Sequence, residues 1–165
     1  MSSKLQARLP YLFLVVGILI FDRLTKAWIQ SRFDLHESAS VIDGFFNITY
    51  VQNTGVAFGI FSSISSPVKS LLLSVFTALA AIVVITYSVR SPVRNQLLQV
   101  ALALILGGAL GNLYDRLAYG YVVDFLEIYL GSYHWPSFNV ADSAISIGVL
   151  LLAVEIIRNE APHRA

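Results

Sequence analysis

The sequence contains no cysteine. That excludes disulfides, thiolate metal sites and a cysteine nucleophile, and it means the chain is not itself anchored through a lipidated cysteine. Charge is scarce too. Asp, Glu, Lys and Arg make up 13% of the 165 residues, about half of the ~25% usual in a soluble domain. So few charges cannot cover a globular surface with water-compatible groups. With 56% hydrophobic residues, a cytosolic enzyme and a disordered segment are both excluded. A basic run is missing and the formal net charge is +1, so no nucleic-acid partner is expected. His36, His134 and His163 are far apart in sequence, which argues against a histidine zinc site. No metal and no cofactor are implied. An integral membrane protein remains.

A membrane helix needs roughly 20 mostly apolar residues. Four stretches qualify, at about 10–29, 68–89, 96–117 and 139–157, within a single membrane domain covering 1–165. The first is read as an uncleaved helix, because Asp22 and Arg23 follow its apolar run with no small-residue cleavage site. Lys4, Arg8, Arg90, Arg94, Arg158 and Arg164 fall on one side of these spans. That asymmetry predicts cytoplasmic termini. Arg23 and Lys26 then lie towards the outer end of the first span, where they must pair or snorkel.

Two outer segments follow. Within 30–67, a β segment at about 41–61 is expected. Phe46, Ile48 and Tyr50 alternate there with Asn47, Thr49 and Val51, and Asn53-Thr54-Gly55 supplies turn chemistry. The second segment, about 118–138, carries Tyr119, Tyr121, Phe125, Tyr129, Tyr133, Trp135 and Phe138, aromatics suited to the headgroup level.

Intramembrane polar groups are costly and usually functional, and here they share one depth. Asp22 and Lys26 lie one turn apart on one helix face. Asn112, Asp115 and Arg116 end the third span; Asn139 and Asp142 begin the fourth; Asp124 and Asn53 lie in the outer segments. Each has a bland reading. Asp22–Lys26 reads as a structural pair, Asp115–Arg116 as a helix-end ion pair, Asn139 as a cap and Asp142 as an acid favoured by the helix dipole. Asp124 alone reads as a solvated loop residue. Gly107 and Gly111, with Gly108 beside them, read as a close-packing face. Glu127 has no assigned role, and Glu155 reads as structural. Together, a polar cluster beneath an aromatic belt points to a site.

Asp124 and Asp142 flank one short connection. Two carboxylates in low dielectric hold one proton between them. The ionised member can take a proton from water while the other protonates a leaving amine. That is peptide hydrolysis without a metal or a covalent intermediate. Neighbouring Asn and Arg groups can hold the pair or bind a substrate carbonyl. A serine–lysine hydrolase with Lys26 as base is a weaker alternative, since the serines at 62, 63, 65 and 66 lie in a loop. A proton-coupled transporter would spread polar groups across the whole membrane depth. A membrane chaperone would not need paired aspartates.

These residues carry a resemblance. The sequence resembles bacterial lipoprotein signal peptidases (signal peptidase II) over nearly its whole length. The motifs run in order: Phe21-Asp22-Arg23-Leu24-Thr25-Lys26; Gln52-Asn53-Thr54-Gly55-Val56-Ala57-Phe58; Gly111-Asn112-Leu113-Tyr114-Asp115-Arg116; Val122-Val123-Asp124-Phe125; and Phe138-Asn139-Val140-Ala141-Asp142. The resemblance implies a four-helix integral membrane protein with a small periplasmic β-sheet cradle and a short periplasmic helix in 118–138 over the site. It implies an aspartic endopeptidase of the bacterial inner membrane, with its site near the periplasmic face. The implied substrate is a diacylglyceryl-modified prolipoprotein, cut on the amino side of the lipidated cysteine, and the implied inhibitors are of the globomycin type. Asp124 and Asp142 match the catalytic pair. Asp22, Lys26, Asn53, Gly55, Ala57, Phe58, Gly108, Asn112, Asp115, Arg116, Asn139 and Ala141 are the substrate-binding or site-supporting candidates. Phe58 and its apolar neighbours are expected to gate lipid entry, so that Phe58→Ala alters affinity more than chemistry.

Overall fold

A computed structural model describes residues 6–55 and 66–160. Among these, four long helices carry a small sheet at one end of their bundle. The helices are α1 (Leu9–Arg32), α2 (Ser66–Arg90), α3 (Gln96–Tyr119) and α4 (Val140–Glu160). The strands are β1 (Ser38–Ile42), β2 (Phe46–Asn53), β3 (Val122–Leu130) and β4 (Tyr133–His134). Helices α2, α3 and α4 are each long and apolar enough to cross a bilayer. Helix α1 is 24 residues long, which is about 36 Å. It carries Asp22, Arg23 and Lys26 in its second half, while Leu12, Phe13, Ile20, Phe21 and Leu24 stand exposed on its flank. An apolar flank of that extent has no stable place in water.

Helix α3 is the hub, packing against α1, α2 and α4. Its glycines make this possible. A Cβ on Gly107 would lie 3.0 Å from Ile18 Cβ of α1, and one on Gly111 would lie 2.9 Å from Asp22 Oδ2. Gly108 turns to α4, where a Cβ would collide with the Ala141 carbonyl oxygen. Gly148 on α4 reciprocates, 2.8 Å separating its added Cβ from the Ala101 carbonyl oxygen. With no hydrophobic driving force between helices in lipid, such close backbone approach supplies the packing. The close-packing face expected from the three glycines is therefore present, and it is two-sided.

The ends of α3 have plain causes. Asn95 caps its start, its side-chain oxygen accepting from the Leu98 amide at 3.3 Å. Gly120, at φ +80°, ends it and donates to the Arg116 carbonyl, a conformation that glycine adopts without penalty. At the bundle end far from the sheet, the Arg8 guanidinium donates to the carbonyls of Ser88, Val89 and Ser91 at 2.8, 3.1 and 3.0 Å. These carbonyls lie in and just beyond the last turn of α2, where the helix ladder runs out. Glu155 takes a 2.6 Å hydrogen bond from the Asn95 amide, in keeping with its structural reading.

The sheet is antiparallel throughout, in the order β1-β2-β3-β4. It is seated on the last turns of α1 through a cluster of Ile29, Tyr50, Val123 and Phe125, with Phe33 and Leu126 packed around it. Between β2 and β3 the register passes from Ile48↔Leu126 to Val51↔Asp124. Strand β2 thus holds one extra residue, a bulge. Thr49 and Tyr50 are both buried there, so the alternation read from the sequence breaks at this point. Bulges re-aim side chains, and this one lies beside Asp124.

Two expectations need correcting. The segment 118–138 was expected to hold a short helix; it forms β3 and β4 instead. Gly120 stops α3, and the β-branched and aromatic residues Val122, Val123 and Phe125 suit a strand that pairs along β2. The β segment expected at 41–61 starts earlier, at Ser38, and its last strand ends at Asn53. Ala57 and Phe58 lie outside the described residues.

Gly108→Ala should lower the melting temperature in detergent by about 5–10 °C, the scale of an overpacked core. Gly17→Ala is the control: a Cβ there meets nothing within 4 Å, so melting should hold or rise slightly. Equal melting of the two variants would contradict the packing argument.

Candidate active site

The polar residues singled out from the sequence converge where the C-terminal halves of α1 and α3, the start of α4 and the β2–β3 pair meet. At the base lies Lys26, with no solvent exposure. Its ammonium sits 2.8 Å from Asp22 Oδ2 and 2.9 Å from Asp115 Oδ2, and it donates to Asn112 Oδ1 at 3.2 Å. A buried charge is tolerated only when paired and hydrogen-bonded. Two carboxylate oxygens and one amide oxygen thus surround the ammonium, the first two as ion pairs and the third as a hydrogen bond. Lys26 is committed to this ion-paired layer; of the serines weighed as its partner, Ser62, Ser63 and Ser65 lie outside the described residues and Ser66 begins α2.

The partners pass the constraint outward. Asp22 Oδ1 accepts the Ala141 amide at 3.0 Å, one of the orphan donors at the start of α4. Asp115 Oδ2 accepts the Val123 amide of β3 at 3.3 Å. Its other oxygen pairs with Arg23, whose guanidinium lies 4.7 Å from the Tyr114 ring centroid. Arg23 thus pairs rather than snorkels. The expected Asp115–Arg116 ion pair is not formed; Asp115 turns into the bundle towards Lys26 and Arg23. Arg23 is a supporting residue outside the site candidates drawn from the sequence, although its place after Asp22 and before Lys26 was the available signal.

Above this layer stand Asp124 and Asp142. Asp142 belongs to a reciprocal cap at the start of α4. The Asp142 amide donates to Asn139 Oδ1 at 2.9 Å, and the Asn139 amide donates to Asp142 Oδ2 at 3.2 Å. This is a capping box with Asn and Asp in place of the usual Ser and Glu, so the cap reading and the dipole reading of these two residues both hold. Asp142 Oδ1 accepts from Asn112 Nδ2 at 2.7 Å. Asp124 accepts from Asn139 Nδ2 at 2.7 Å and from Asn53 Nδ2 at 2.9 Å. Asn139, with no solvent exposure, therefore donates to both carboxylates. Asn53 is itself fixed by the Gly55 amide, which donates to its Oδ1 at 2.9 Å; this is the turn expected at Asn53-Thr54-Gly55.

Asp124 is a buried strand residue rather than a solvated loop residue. Burial, and then the nearby charge of Asp142, push its carboxyl up to about 7, against the pull of Asn53, Asn139 and Lys26. Both aspartates and Arg116 line one open cavity of about 790 Å³. Its remaining walls are largely apolar, including Ile128, Leu130, Trp135 and Ile147. Arg116 is the one cation among the cavity's lining residues. Ala141 and Gly108 contribute by being small where α3 meets α4.

The sequence model of the signal peptidase II family matches residues 14–158. A lipoprotein signal peptidase of Syntrophus aciditrophicus (strain SB) is 46% identical over 151 residues, covering 90% of this chain and 94% of its own. One from Geobacter sulfurreducens is 48% identical over 146 residues, covering 88% and 90%. Among solved structures, a bacterial membrane enzyme determined by the in meso method at 2.3 Å superposes with a TM-score of 0.83 at 33% identity, covering 93% of this chain and 90% of that one.

Lys26→Met leaves Asp22 and Asp115 buried with too little positive charge. Breaking a buried pair in this way costs roughly 3–5 kcal/mol, so melting in detergent should fall by about 10 °C. Adding Asp22→Asn should recover part of the loss, because it removes one uncompensated carboxylate. Unchanged melting of Lys26→Met would contradict the assignment of Lys26 as the base of the site.

Proposed function

This chain belongs to the signal peptidase II family of aspartic peptidases, and we propose that Asp124 and Asp142 carry out its cleavage of prolipoprotein signal peptides. The observation that carries the assignment is the shared hold of Asn139 on two carboxylates, the buried Asp124 and the partly buried Asp142, that line one cavity. Charge balance supports a single shared proton. Asp22 and Asp115 are offset by Lys26 and Arg23, which leaves Arg116 to offset one of the two cavity aspartates. The cavity is then neutral when one of them is protonated.

The pair hydrolyses an amide in these terms. The ionised carboxylate removes a proton from water as the oxygen attacks the scissile carbonyl. The carbonyl oxygen gains charge, and Arg116 is the cation available to stabilise it. The protonated carboxyl delivers its proton to the departing amine, and the C–N bond breaks. Nothing covalent links substrate and enzyme.

The substrate we assign is a diacylglyceryl prolipoprotein, cut on the amino side of the modified cysteine. The apolar walls running from Ile128 to Ile147 support this reading, since they suit a lipid-bearing peptide. The same cavity would take a globomycin-type cyclic peptide. We also propose that α1 crosses the membrane with α2, α3 and α4, as four spans of the bacterial inner membrane. Both termini would then lie in the cytoplasm, as the Lys/Arg asymmetry suggests, with the cavity and sheet at the periplasmic face. A diacylated substrate would reach a site at that depth with little vertical movement.

The direct test is a gel-shift cleavage assay on a diacylglyceryl prolipoprotein, with Asp124→Asn and Asp142→Asn beside the wild type and with a chelator arm. Either substitution should cut turnover by at least about a hundredfold, and the chelator should have no effect. Full activity in both variants, or loss with the chelator, would overturn the mechanism. The pH profile is a second check. A carboxyl titrating at about 7 loses the shared proton as pH rises through that value, so kcat/KM should fall on an alkaline limb near 7. In Arg116→Gln the ionised form loses a favourable charge, so the limb should move to higher pH. A limb that moves down, or does not move, would contradict the role given to Arg116.

A further inference from the structure

We propose that Glu127 and His134, outside the catalytic cluster, are positioning residues that hold the outer wall of the substrate cavity. This rests on the reading of Asp124 and Asp142 above. The wall is the β3–β4 hairpin. Leu130, Tyr133 and Trp135 line the cavity from it, and all three are exposed. Strand β4 is only two residues long, joined to β3 by two register pairs, Tyr129↔His134 and Leu130↔Tyr133. Past β4 the Trp135 amide donates to the Ile128 carbonyl at 2.8 Å and Phe138 bridges Leu126, so backbone bonds hold the base of the segment while the hairpin tip rests on two pairs alone.

Side chains fasten it. His134 Nδ1 donates to Glu127 Oε1 at 3.1 Å, and Asn47 Nδ2 of β2 donates to Glu127 Oε2 at 2.9 Å. The His134 ring stacks on Tyr129 with centroids 5.2 Å apart and planes 9° from parallel. The Tyr129 hydroxyl accepts the Gly44 amide at 3.0 Å. Residues directly opposite across a strand pair share a face, so His134 lies with Tyr129, while Tyr133 lies with Leu130 on the other face. The hairpin therefore has two faces with two tasks. One is anchored to β2 and the β1–β2 turn through Glu127, Tyr129 and His134; the other presents Leu130 and Tyr133 to the cavity, whose wall Tyr129 also joins.

This arrangement predicts a separable effect. Asp124 lies on the same strand, but Asn53 and Asn139 hold it, not Glu127. Loosening the hairpin should weaken the grip on substrate and leave the chemical step intact. The experiment measures KM and kcat on a diacylglyceryl prolipoprotein for Glu127→Gln, Glu127→Ala, His134→Phe and the Glu127→Ala/His134→Phe double variant. His134→Phe keeps a ring on Tyr129 but removes the donor. Glu127→Gln keeps an acceptor for His134 and is the rescue. The pair is partly exposed, so the effect is modest. KM should rise about three- to fivefold in Glu127→Ala and His134→Phe, with kcat within about twofold and Glu127→Gln close to wild type. The double variant should be no worse than either single, the signature of one shared interaction. In a Trp28→Phe background, acrylamide quenching of Trp135 should increase in the same variants.

Unchanged KM, a fall in kcat at constant KM, additive effects in the double variant, or unchanged Trp135 quenching would each overturn the proposal. A wild type that fails to cleave would instead remove the peptidase mechanism, and Trp135 quenching would still decide whether the pair holds the hairpin.

Discussion

A lysine ammonium sealed from water is the constraint on which the rest of this molecule depends. Removing such a charge from solvent costs several kcal/mol, and only close acceptors in good geometry offset that. Lys26 has three, drawn from α1 and α3. Two of them reach further, Asp22 to the start of α4 and Asp115 to β3. One buried charge thereby sets the register of three helices and a strand. The glycines of α3 belong to the same device, because Gly108 and Gly111 leave room for Ala141 and Asp22 to approach.

The two cavity carboxylates are held by different means. Asp142 is a helix-capping group, each oxygen receiving one N–H, so the bonds that begin α4 also orient the carboxylate in the cavity. Asp124 sits on β3, paired with Val51 just past the β2 bulge, and burial raises its carboxyl. Two acids in unlike settings are what a shared-proton reaction requires. Asn139 joins the settings and has no free donor left over: its amide nitrogen serves Asp124, Asn112 and the Val123 carbonyl.

Polar groups also gather at the opposite end of the bundle, where Arg8, Gln99, Asn95 and Glu155 tie helix ends together. Between the two layers α3 runs through Ala101, Leu102, Ala103 and Gly107 to Ala109, all buried. A polar path from one end to the other is interrupted there. That separation favours a site at one depth over a transporter.

The sequence alone determined the class of the molecule and the candidate residues of its site. Scarce charge and long apolar runs leave few folds open. The spacing of Asp22 with Lys26, and of Asn139 with Asp142, places each pair on one helical face whatever surrounds it, because helical periodicity is local. The segment 118–138 was misjudged for the opposite reason. Whether Val122 to Leu130 forms a strand depends on the open side of β2, seventy residues away in the chain, and no local pattern reports a pairing partner. The same holds for Asp115, whose nearest neighbour in sequence is Arg116 but whose charge partners are Lys26 and Arg23 on another helix. Only the tertiary structure decided which ion pairs form and which carboxylate is buried on a strand, since electrostatic energies depend on distance and dielectric in space.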